Sequence, residues 1–378
     1  MIVKVAFCAP LSTKENEAKN MQAKELCVLI PSLEPDERLV AYVDELLAAD
    51  FGQIVIVNDG SSEKYDDIFN CLSAKERCTV LRHEVNRGKG AGLKTGIEYI
   101  KNHTAFDGVI TADADGQHIV SDTLKMAADM HKDKKELLLG SRDFSGKNKN
   151  IPSRSRFGNR VTSAVFAALY GHWLPDTQTG LRAITRAGYD DLLSVTGERF
   201  EYEMNMLIYC AMNKIPFKII PIETIYLEEN KSSHFNPLRD SIRIYKLLLG
   251  SFLRFSAASI VSFLIDFILL TVLANFVFPA VSHGAFFAKV LARCVSAPCN
   301  FWMNSKYVFE QKMSKKTFTR YILLAVFIMV VSALGVDGIM SWLKFPTAII
   351  GFVGIVVDIV LYLVSYRVQR NWVFNTNK

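Results

Sequence analysis

The amino-acid sequence predicts an α/β domain with a mostly parallel sheet, followed by an α-helical domain that lies in a lipid bilayer. Three observations support this prediction. Short apolar runs alternate with helical patterns through residues 26–235, residues 251–378 consist largely of long apolar stretches, and 378 residues exceed the usual size of one compact domain. We therefore expect two structural units in different surroundings.

The alternation of strands and helices is regular in the first unit. The patterns predict strands at 26–31, 53–58, 79–81, 108–112 and 136–139, and helices at 37–49, 91–101 and 121–131. Such alternation builds a parallel sheet that is covered on both faces. Because these sheets bind ligands beyond the carboxyl ends of their strands, the loops after Ile30, Val57 and Ala112 are the predicted place for chemistry.

Four apolar stretches in the C-terminal third are each long enough to cross about 30 Å of hydrocarbon. They lie near residues 252–278, 285–303, 321–343 and 347–364. The connections after the second and fourth stretches are rich in Lys and Arg, whereas the other two offer only Lys344. The positive-inside rule therefore predicts that both termini are cytoplasmic. Asp266 and Asp358 fall inside these stretches and need a buried or water-lined partner, in a structural or a functional role.

The C-terminal third also repeats itself at a shift of about 65 residues. Residues 252–255 resemble 318–321, and residues 301–309 (FWMNSKYVF) resemble 366–374 (YRVQRNWVF). Two similar helical hairpins with parallel orientation are therefore expected.

The segments outside these two units have weaker patterns. Residues 236–250 predict an amphipathic helix that lies flat on the membrane, because one face is apolar and the other carries Arg and Lys. A similar pattern at 156–173 fits the membrane surface or ordinary core packing. Residues 1–25 are expected to be a flexible leader, since their apolar patch is too short for a secretory signal.

Composition excludes several classes of protein. The net charge of +6 is modest and fits a membrane surface with acidic headgroups, so nucleic acid is not an expected partner. The seven cysteines are scattered, odd in number and form no C-x-x-C pair, which argues against a zinc site and a disulfide framework.

Two acidic motifs follow predicted strands. Asp113, Asp115 and Gln117 come directly after the strand at 108–112, where clustered carboxylates would repel one another unless a cation were bound. Hard oxygen ligands at this spacing suit Mg²⁺ or Mn²⁺, which often complete their coordination with substrate phosphates. Asp59 follows the second strand, in a position to accept hydrogen bonds from a base or ribose or to form an ordinary Asp-Gly turn.

Five motifs in order resemble family 2 glycosyltransferases. They are IPSLEPDE at 30–37, VNDGSS at 57–62, NRGKGAGLKTG at 86–96, DADGQ at 113–117 and GSRDF at 140–144. The similarity is strongest to polyprenyl-phosphate glycosyltransferases of the dolichol-phosphate mannosyltransferase type, and residues 251–378 resemble the GtrA-like membrane domain. The resemblance implies a GT-A fold, Rossmann-like with a mostly parallel sheet, joined to four transmembrane helices.

The resemblance also implies roles for individual residues. Those expected to bind the nucleotide-sugar are Pro31, Glu34, Asp59, Lys89, Asp113, Ala114, Asp115 and Gln117. Three of these residues, Asp113, Asp115 and Gln117, would also hold the metal. Residues expected to bind the lipid phosphate are Arg142, Arg156, Arg182 and Lys231. The planar, permanently charged guanidinium group of the arginines suits phosphate. The catalytic set is then Asp115, Arg142 and Arg156, with Asp176 as the candidate if a general base is needed.

The implied activity is inverting, metal-dependent transfer of a sugar from a UDP- or GDP-sugar to a polyprenyl phosphate at the cytoplasmic membrane face. Leu33-Glu34-Pro35 departs from the family's usual Tyr-Asn-Glu, which leaves the nucleotide and the sugar open. Two alternatives remain: a carrier or flippase of a lipid-linked sugar with a donor-binding soluble domain, and a processive polysaccharide synthase. The synthases' Gln-x-x-Arg-Trp motif is absent from the sequence. The oligomeric state is also open, and a homo-oligomer is one option.

Overall fold

The computed structural model describes residues 22–144, 151, 153–223, 237–278, 283–343 and 350–375. The chain divides into two compact units. The sheet unit comprises Met1–Asn159 and Pro175–Phe235, and the helical unit comprises Arg160–Leu174 and Asn236–Lys378. Except for residues 22–25, the predicted leader lies outside the described residues.

The sheet unit contains a seven-stranded sheet in the order β3-β2-β1-β4-β6-β5-β7. Its strands are β1 (Leu26–Ser32), β2 (Gln53–Asp59), β3 (Cys78–His83), β4 (Gly108–Thr111), β5 (Leu137–Ser141), β6 (Arg182–Thr185) and β7 (Phe217–Pro221). All neighbours are parallel except β6, which is antiparallel to β4 and to β5. The predicted mostly parallel sheet is confirmed.

Helices cover the sheet on both faces. The helices of the sheet unit are α1 (Glu37–Ala48), α2 (Asp66–Ser73), α3 (Lys89–His103), α4 (Val120–Asp129), α6 (Tyr189–Ser194) and α7 (Glu201–Met212). Helix α5 (Ser153–Tyr170) begins in the sheet unit and ends in the helical unit. The five predicted strands and three predicted helices all occur. The elements α2, α6, α7, β6 and β7 were not predicted, because they are short or lack a clear apolar period.

The central strand β1 is buried on both faces because side chains alternate along a strand. Val28 and Ile30 pack in the core with α1 and α4. Leu29 points to the other face, where it meets α3 at Gly96; a Cβ on Gly96 would lie 2.1 Å from Leu29 Cδ1. The register pairs Leu29 with Val55 of β2 and Thr111 of β4, which brings the carboxyl ends of the three strands to one edge.

The helical unit contains α8 (Pro237–Val272), α9 (Gly284–Met303), α10 (Lys315–Leu343) and α11 (Ile350–Val368). Among the described residues, three helices are long and apolar enough to cross a membrane: Ile242–Val277, Lys315–Leu343 and Ile350–Val373. Helix α9 corresponds to the second predicted span, and its Lys289 and Arg293 lower its mean hydropathy.

Residues 236–250 were predicted to form an amphipathic helix that lies flat on the membrane. In the structure, residues from Pro237 onward form the first turns of the continuous helix α8. Gly250 lies within that helix, and without a proline or a polar loop nothing interrupts the backbone hydrogen bonds there.

The internal repeat is visible in the helical unit. A π-helical turn follows α9 at Asn304–Val308, and another follows α11 at Gln369–Val373. The two turns are joined by a hydrogen bond from Asn304 Nδ2 to Gln369 Oε1 at 3.1 Å, and both side chains are buried. An aromatic cluster of Phe301, Tyr321 and Phe374 packs beside them.

Leu29→Ala is expected to destabilise the sheet unit by about 2–5 kcal/mol, because it removes buried methyl groups between β1 and α3 and leaves a cavity. Its unfolding midpoint, followed by thermal denaturation of the detergent-solubilised chain, should fall by roughly 4–20 °C. The control Val85→Ala changes a side chain that is 67% exposed and should leave the midpoint unchanged. Equal midpoints for both variants would contradict the packing described here.

Candidate active site at the carboxyl edge of the sheet

A cleft opens in the sheet unit beyond the carboxyl ends of β1, β2 and β4. It is lined by residues of the loops that follow these strands and by the start of α3. Seven of the eight residues predicted to bind a donor line it: Pro31, Glu34, Asp59, Lys89, Asp113, Ala114 and Asp115. The eighth, Gln117, lies just beyond, where its backbone N–H donates to Asp115 Oδ1 at 3.0 Å.

An ion-pair cluster borders the cleft through Lys89 and Asp113. Lys89 Nζ lies 2.6 Å from Asp113 Oδ1 and 3.0 Å from Glu203 Oε1, and the three side chains are at most 29% exposed. His118 Nε2 lies 3.6 Å from Asp113 Oδ2. Burial alone would raise the pKa of Asp113, but the positive charge of Lys89 and the imidazole of His118 hold it well below the usual range. Asp113 is therefore a carboxylate at neutral pH.

Asp115 is in a different electrostatic setting. Burial and the negative charge of Asp113 raise the pKa of its carboxyl group. A cation that bridges the two carboxylates would relieve this repulsion. Among the described residues no group of three or more His, Cys, Asp or Glu side chains converges on one point. Asp113 and Asp115 fit a divalent ion that takes its remaining ligands from a bound phosphate and water.

His118 supports a polar ligand at the same place. Its side chain is 7% exposed, and within the described part of the chain neither ring nitrogen has a hydrogen-bond partner. Buried polar groups are usually satisfied, so a ligand or water beside Asp113 is expected to supply the missing partner.

Asp59 lines the cleft, and its carboxylate is also held by short hydrogen bonds to neighbouring residues. Its Oδ1 lies 2.7 Å from His83 Nδ1 and accepts from the backbone N–H of Arg87, and its Oδ2 accepts from the N–H of Gly88 at 2.7 Å. Gly88 has a φ of 107°, which glycine tolerates best, and it caps the N-terminus of α3. Asp59 thus fixes the loop that places Lys89.

Glu34 occupies the left-handed backbone region with a φ of 49°. Its N–H donates to Ser61 Oγ at 2.8 Å, which ties the loop after β1 to the loop after β2. This conformation costs a non-glycine residue about 1–2 kcal/mol, so the surrounding contacts must hold it in place.

Gly180 lies directly against the Asp113 carboxylate. A Cβ at this position would lie 2.2 Å from Asp113 Oδ2, so a larger residue would displace the carboxylate. The Gly180 carbonyl also accepts from Thr111 Oγ1 at 2.9 Å, which holds it against β4.

A second polar centre joins Arg142 and Asp176. Arg142 Nε donates to Asp176 Oδ2 at 2.6 Å and Nη2 donates to Oδ1 at 3.0 Å, in a bidentate pair. The Asp176 side chain is fully buried. Asn159 fixes the loop that carries it, because its Nδ2 donates to Pro175 O and its Oδ1 accepts from Thr177 N–H at 3.1 Å.

The remaining predicted residues are placed differently. Arg156 is half-buried on α5, and its Nη2 donates to Ser153 Oγ at 3.2 Å. Arg182 is 2% exposed, and its guanidinium donates to the backbone oxygens of Thr179 and Glu203. The structure therefore does not bring Arg182 to the surface with the other predicted phosphate ligands. Lys231 lies outside the described residues.

Several residues of the site were missed by the sequence analysis. Glu203 and His118 contact the acidic cluster, and Arg38, Arg199 and Phe200 line the cleft. Arg38 directly follows the first motif and His118 directly follows DADGQ, so their positions in the sequence could have indicated a role in the site. Glu203 and Phe200 lie in a distant part of the chain, outside any of the motifs.

Family models match most of this chain in two pieces. Residues 27–193 match the model of glycosyl transferase family 2, and residues 254–374 match that of the GtrA/DPMS transmembrane domain.

Individual relatives are moderately similar. The UDP-N-acetylglucosamine–dolichyl-phosphate N-acetylglucosaminyltransferase of Methanococcus voltae is 29% identical over 61% of this chain and 97% of its own length. The human dolichyl-phosphate beta-glucosyltransferase is 25% identical over 55% of this chain and 69% of its own length. Among solved structures, glucosyl-3-phosphoglycerate synthase of Mycobacterium tuberculosis with Mn²⁺ and UDP is 15% identical over 60% of this chain and 77% of its own, with a TM-score of 0.42.

Lys89→Met should destabilise the sheet unit by about 3 kcal/mol, because it leaves Asp113 and Glu203 without their cation. Millimolar Mg²⁺ or Mn²⁺ should raise the unfolding midpoint of this variant more than that of the wild type, since a metal ion then replaces the lost charge. Thermal denaturation with and without metal measures both effects.

The matched control is Lys101→Met on the same helix, which removes a largely exposed ion pair with Asp190. It should change stability by no more than about 1 kcal/mol. If the two variants lose the same stability and respond alike to metal, the buried cluster does not act as described.

Proposed function

Since this chain joins a glycosyl transferase family 2 domain with the GT-A fold to a GtrA/DPMS transmembrane domain, we propose that it transfers a sugar from a nucleotide-sugar to a polyprenyl phosphate at the cytoplasmic face of a membrane. The observation that carries the proposal is the pair Asp113 and Asp115 at the carboxyl edge of the sheet, beside a buried lysine. The named relatives that act on dolichyl phosphate support it.

The donor would lie in the cleft. Pro31, Glu34, Asp59 and Ala114 would contact the nucleoside, and Asp113, Asp115 and Gln117 would hold Mg²⁺ or Mn²⁺ with the diphosphate. When bound, the ion supplies positive charge that stabilises the departing diphosphate. Lys89 keeps Asp113 ionised and oriented toward it.

The acceptor presents the main physical difficulty, because a lipid phosphate and a sugar diphosphate are both anions. Guanidinium groups reduce this repulsion and suit phosphate geometry. Arg142 would fill this role with Arg156. Asp176 would then orient Arg142 instead of acting as a general base, because both of its carboxylate oxygens accept hydrogen bonds from Arg142.

The chemistry needs no strong base. A phosphate monoester is already ionised near neutral pH, so an oxygen of the lipid phosphate attacks the anomeric carbon directly. The bond from that carbon to the diphosphate oxygen breaks, and the nucleoside diphosphate leaves with the bonding electrons. In-line attack inverts the configuration at the anomeric carbon.

The donor is best sought first among UDP-sugars. The relatives reported above are named as transferases of N-acetylglucosamine or glucose. The name of the N-acetylglucosaminyltransferase also specifies UDP as the nucleotide. GDP-mannose belongs in the same panel as the contrasting base and sugar.

The test incubates the purified chain with undecaprenyl or dolichyl phosphate, Mg²⁺ or Mn²⁺, and single nucleotide-sugars, and follows release of nucleoside diphosphate. One donor should be consumed only when the lipid phosphate is present. Asp115→Ala should lower the rate at least about 100-fold, because charge stabilisation of the leaving group is lost. Asp44→Ala, a distant exposed acid, should retain the wild-type rate. Release of nucleoside diphosphate at the same rate with and without lipid phosphate would refute the proposal.

Arg156→Ala is expected to raise the KM for lipid phosphate about tenfold or more, because one charge-assisted contact to phosphate is lost. The Kd for the nucleoside diphosphate, measured by calorimetry, should stay within about twofold, since the nucleotide lies in the cleft. The control Arg160→Ala alters an exposed arginine one turn further along α5. Equal weakening of both ligands by Arg156→Ala would show that the division between donor and acceptor residues is wrong.

A further inference from the structure

The first membrane hairpin contains an ion cluster that joins α8 to α9. Asp266 on α8 is 7% exposed at its side chain and accepts from Lys289 Nζ at 2.7 Å and from Ser296 Oγ at 2.8 Å. Arg293 Nε is 3.8 Å from Asp266 Oδ1. A single carboxylate therefore faces two cations, and the cluster carries one excess positive charge.

Arg293 is the cation with the weaker contact. Its side chain is 64% exposed, against 50% for Lys289, and both project from a helix within the apolar unit. Within the described residues no second carboxylate lies within 4 Å of Arg293. Charged groups are costly inside a bilayer unless they are paired, so Arg293 requires a further anion.

The second hairpin has the opposite imbalance. Asp358 on α11 is exposed, and the partner that the described residues supply is Ser332 Oγ of α10 at 2.7 Å. A hydroxyl group does not neutralise the carboxylate. Among the described residues no Lys or Arg pairs with Asp358, so a cation supplied by another molecule at this depth would neutralise it.

Arg293 and Asp358 lie at the same depth. Arg293 precedes Asn304 by eleven residues, and Asp358 precedes Gln369 by the same number. Asn304 and Gln369 are hydrogen-bonded to each other, which sets both hairpins at a common level. At 1.5 Å per residue, both charged groups lie about 16 Å from that level, near the middle of a hydrocarbon layer about 30 Å thick.

We propose that a second copy of this chain binds against the helical unit, with Arg293 of one copy paired with Asp358 of the other. Copies inserted in one bilayer have the same orientation across it, so Arg293 of one copy and Asp358 of another lie at the same depth and can come into contact. Lipid phosphates lie at the headgroup level rather than at this depth, which favours a protein carboxylate as the partner of Arg293. The inference concerns assembly and is independent of the proposed glycosyl transfer.

The surface beside Asp358 allows close approach. A Cβ added to Gly351 or Gly354 on α11 would meet no atom within 4 Å, so this helix face is open. Small residues let helices in a membrane pack at short distance, which would bring the Arg293 side chain of another copy within reach.

The test exchanges the two charges, using full-length chains with two different tags in lipid nanodiscs and bilayers at several protein-to-lipid ratios. Co-purification of the two tags and single-molecule subunit counting measure association. Arg293→Asp alone and Asp358→Arg alone should each lower self-association at least tenfold, because like charges then face each other. Mixing these two single variants should restore association, since opposite charges meet again between different chains.

Several controls keep the result interpretable. Lys316→Asp reverses an exposed charge at the start of α10 and should associate as the wild type does. Arg293→Gln and Asp358→Asn should weaken association without introducing repulsion, which separates pairing from misfolding. The rate of sugar transfer per chain should stay unchanged in all variants, so a failure of the assembly proposal is distinct from a failure of the proposed function.

Three results would overturn the proposal. One is a wild-type chain that stays monomeric at every protein-to-lipid ratio. Another is rescue by the double variant Arg293→Asp/Asp358→Arg but not by mixing the single variants, which would place the pair within one chain. The third is loss of a co-purifying anionic lipid on Arg293→Gln with no change in association, which would identify a lipid as the anion.

Discussion

The buried ion pair between Lys89 and Asp113 is the interaction on which the candidate site depends. It joins the first turn of α3 to the loop after β4, two parts of the chain that the parallel sheet brings to one edge. Without the lysine, Asp113 would lose its main positive partner, and the repulsion between its carboxylate and that of Asp115 would be less well compensated. The pair keeps Asp113 ionised while leaving Asp115 as the group that most needs a cation.

Loops around this pair are fixed by other buried contacts. Asp59 holds the backbone that leads into α3, and Gly180 leaves room for the Asp113 carboxylate. The same logic applies to Arg142, which Asp176 orients, because Asn159 in turn fixes the loop that carries Asp176. Preorganised charges of this kind suit a reaction in which two anions must approach each other.

The helical unit solves a similar electrostatic problem in an apolar setting. Duplication placed equivalent turns at Asn304 and Gln369, yet the two hairpins diverged in charge: one holds Asp266 with two cations, and the other holds Asp358 beside a hydroxyl. Unequal halves of a duplicated domain can complement each other between copies, which identical halves with matching charges could not do.

Apolar periodicity in the sequence was enough to determine the parallel sheet, its main helices and the apolar C-terminal unit, because burial repeats every second or fourth residue. Spacing after the strands also determined where Asp59, Asp113 and Asp115 would meet. Only the tertiary structure decided that Glu203 and His118 join them, that Arg182 is buried, and that Asp176 is occupied by Arg142. These contacts depend on how distant segments pack and which charges neutralise each other, and local patterns do not record that.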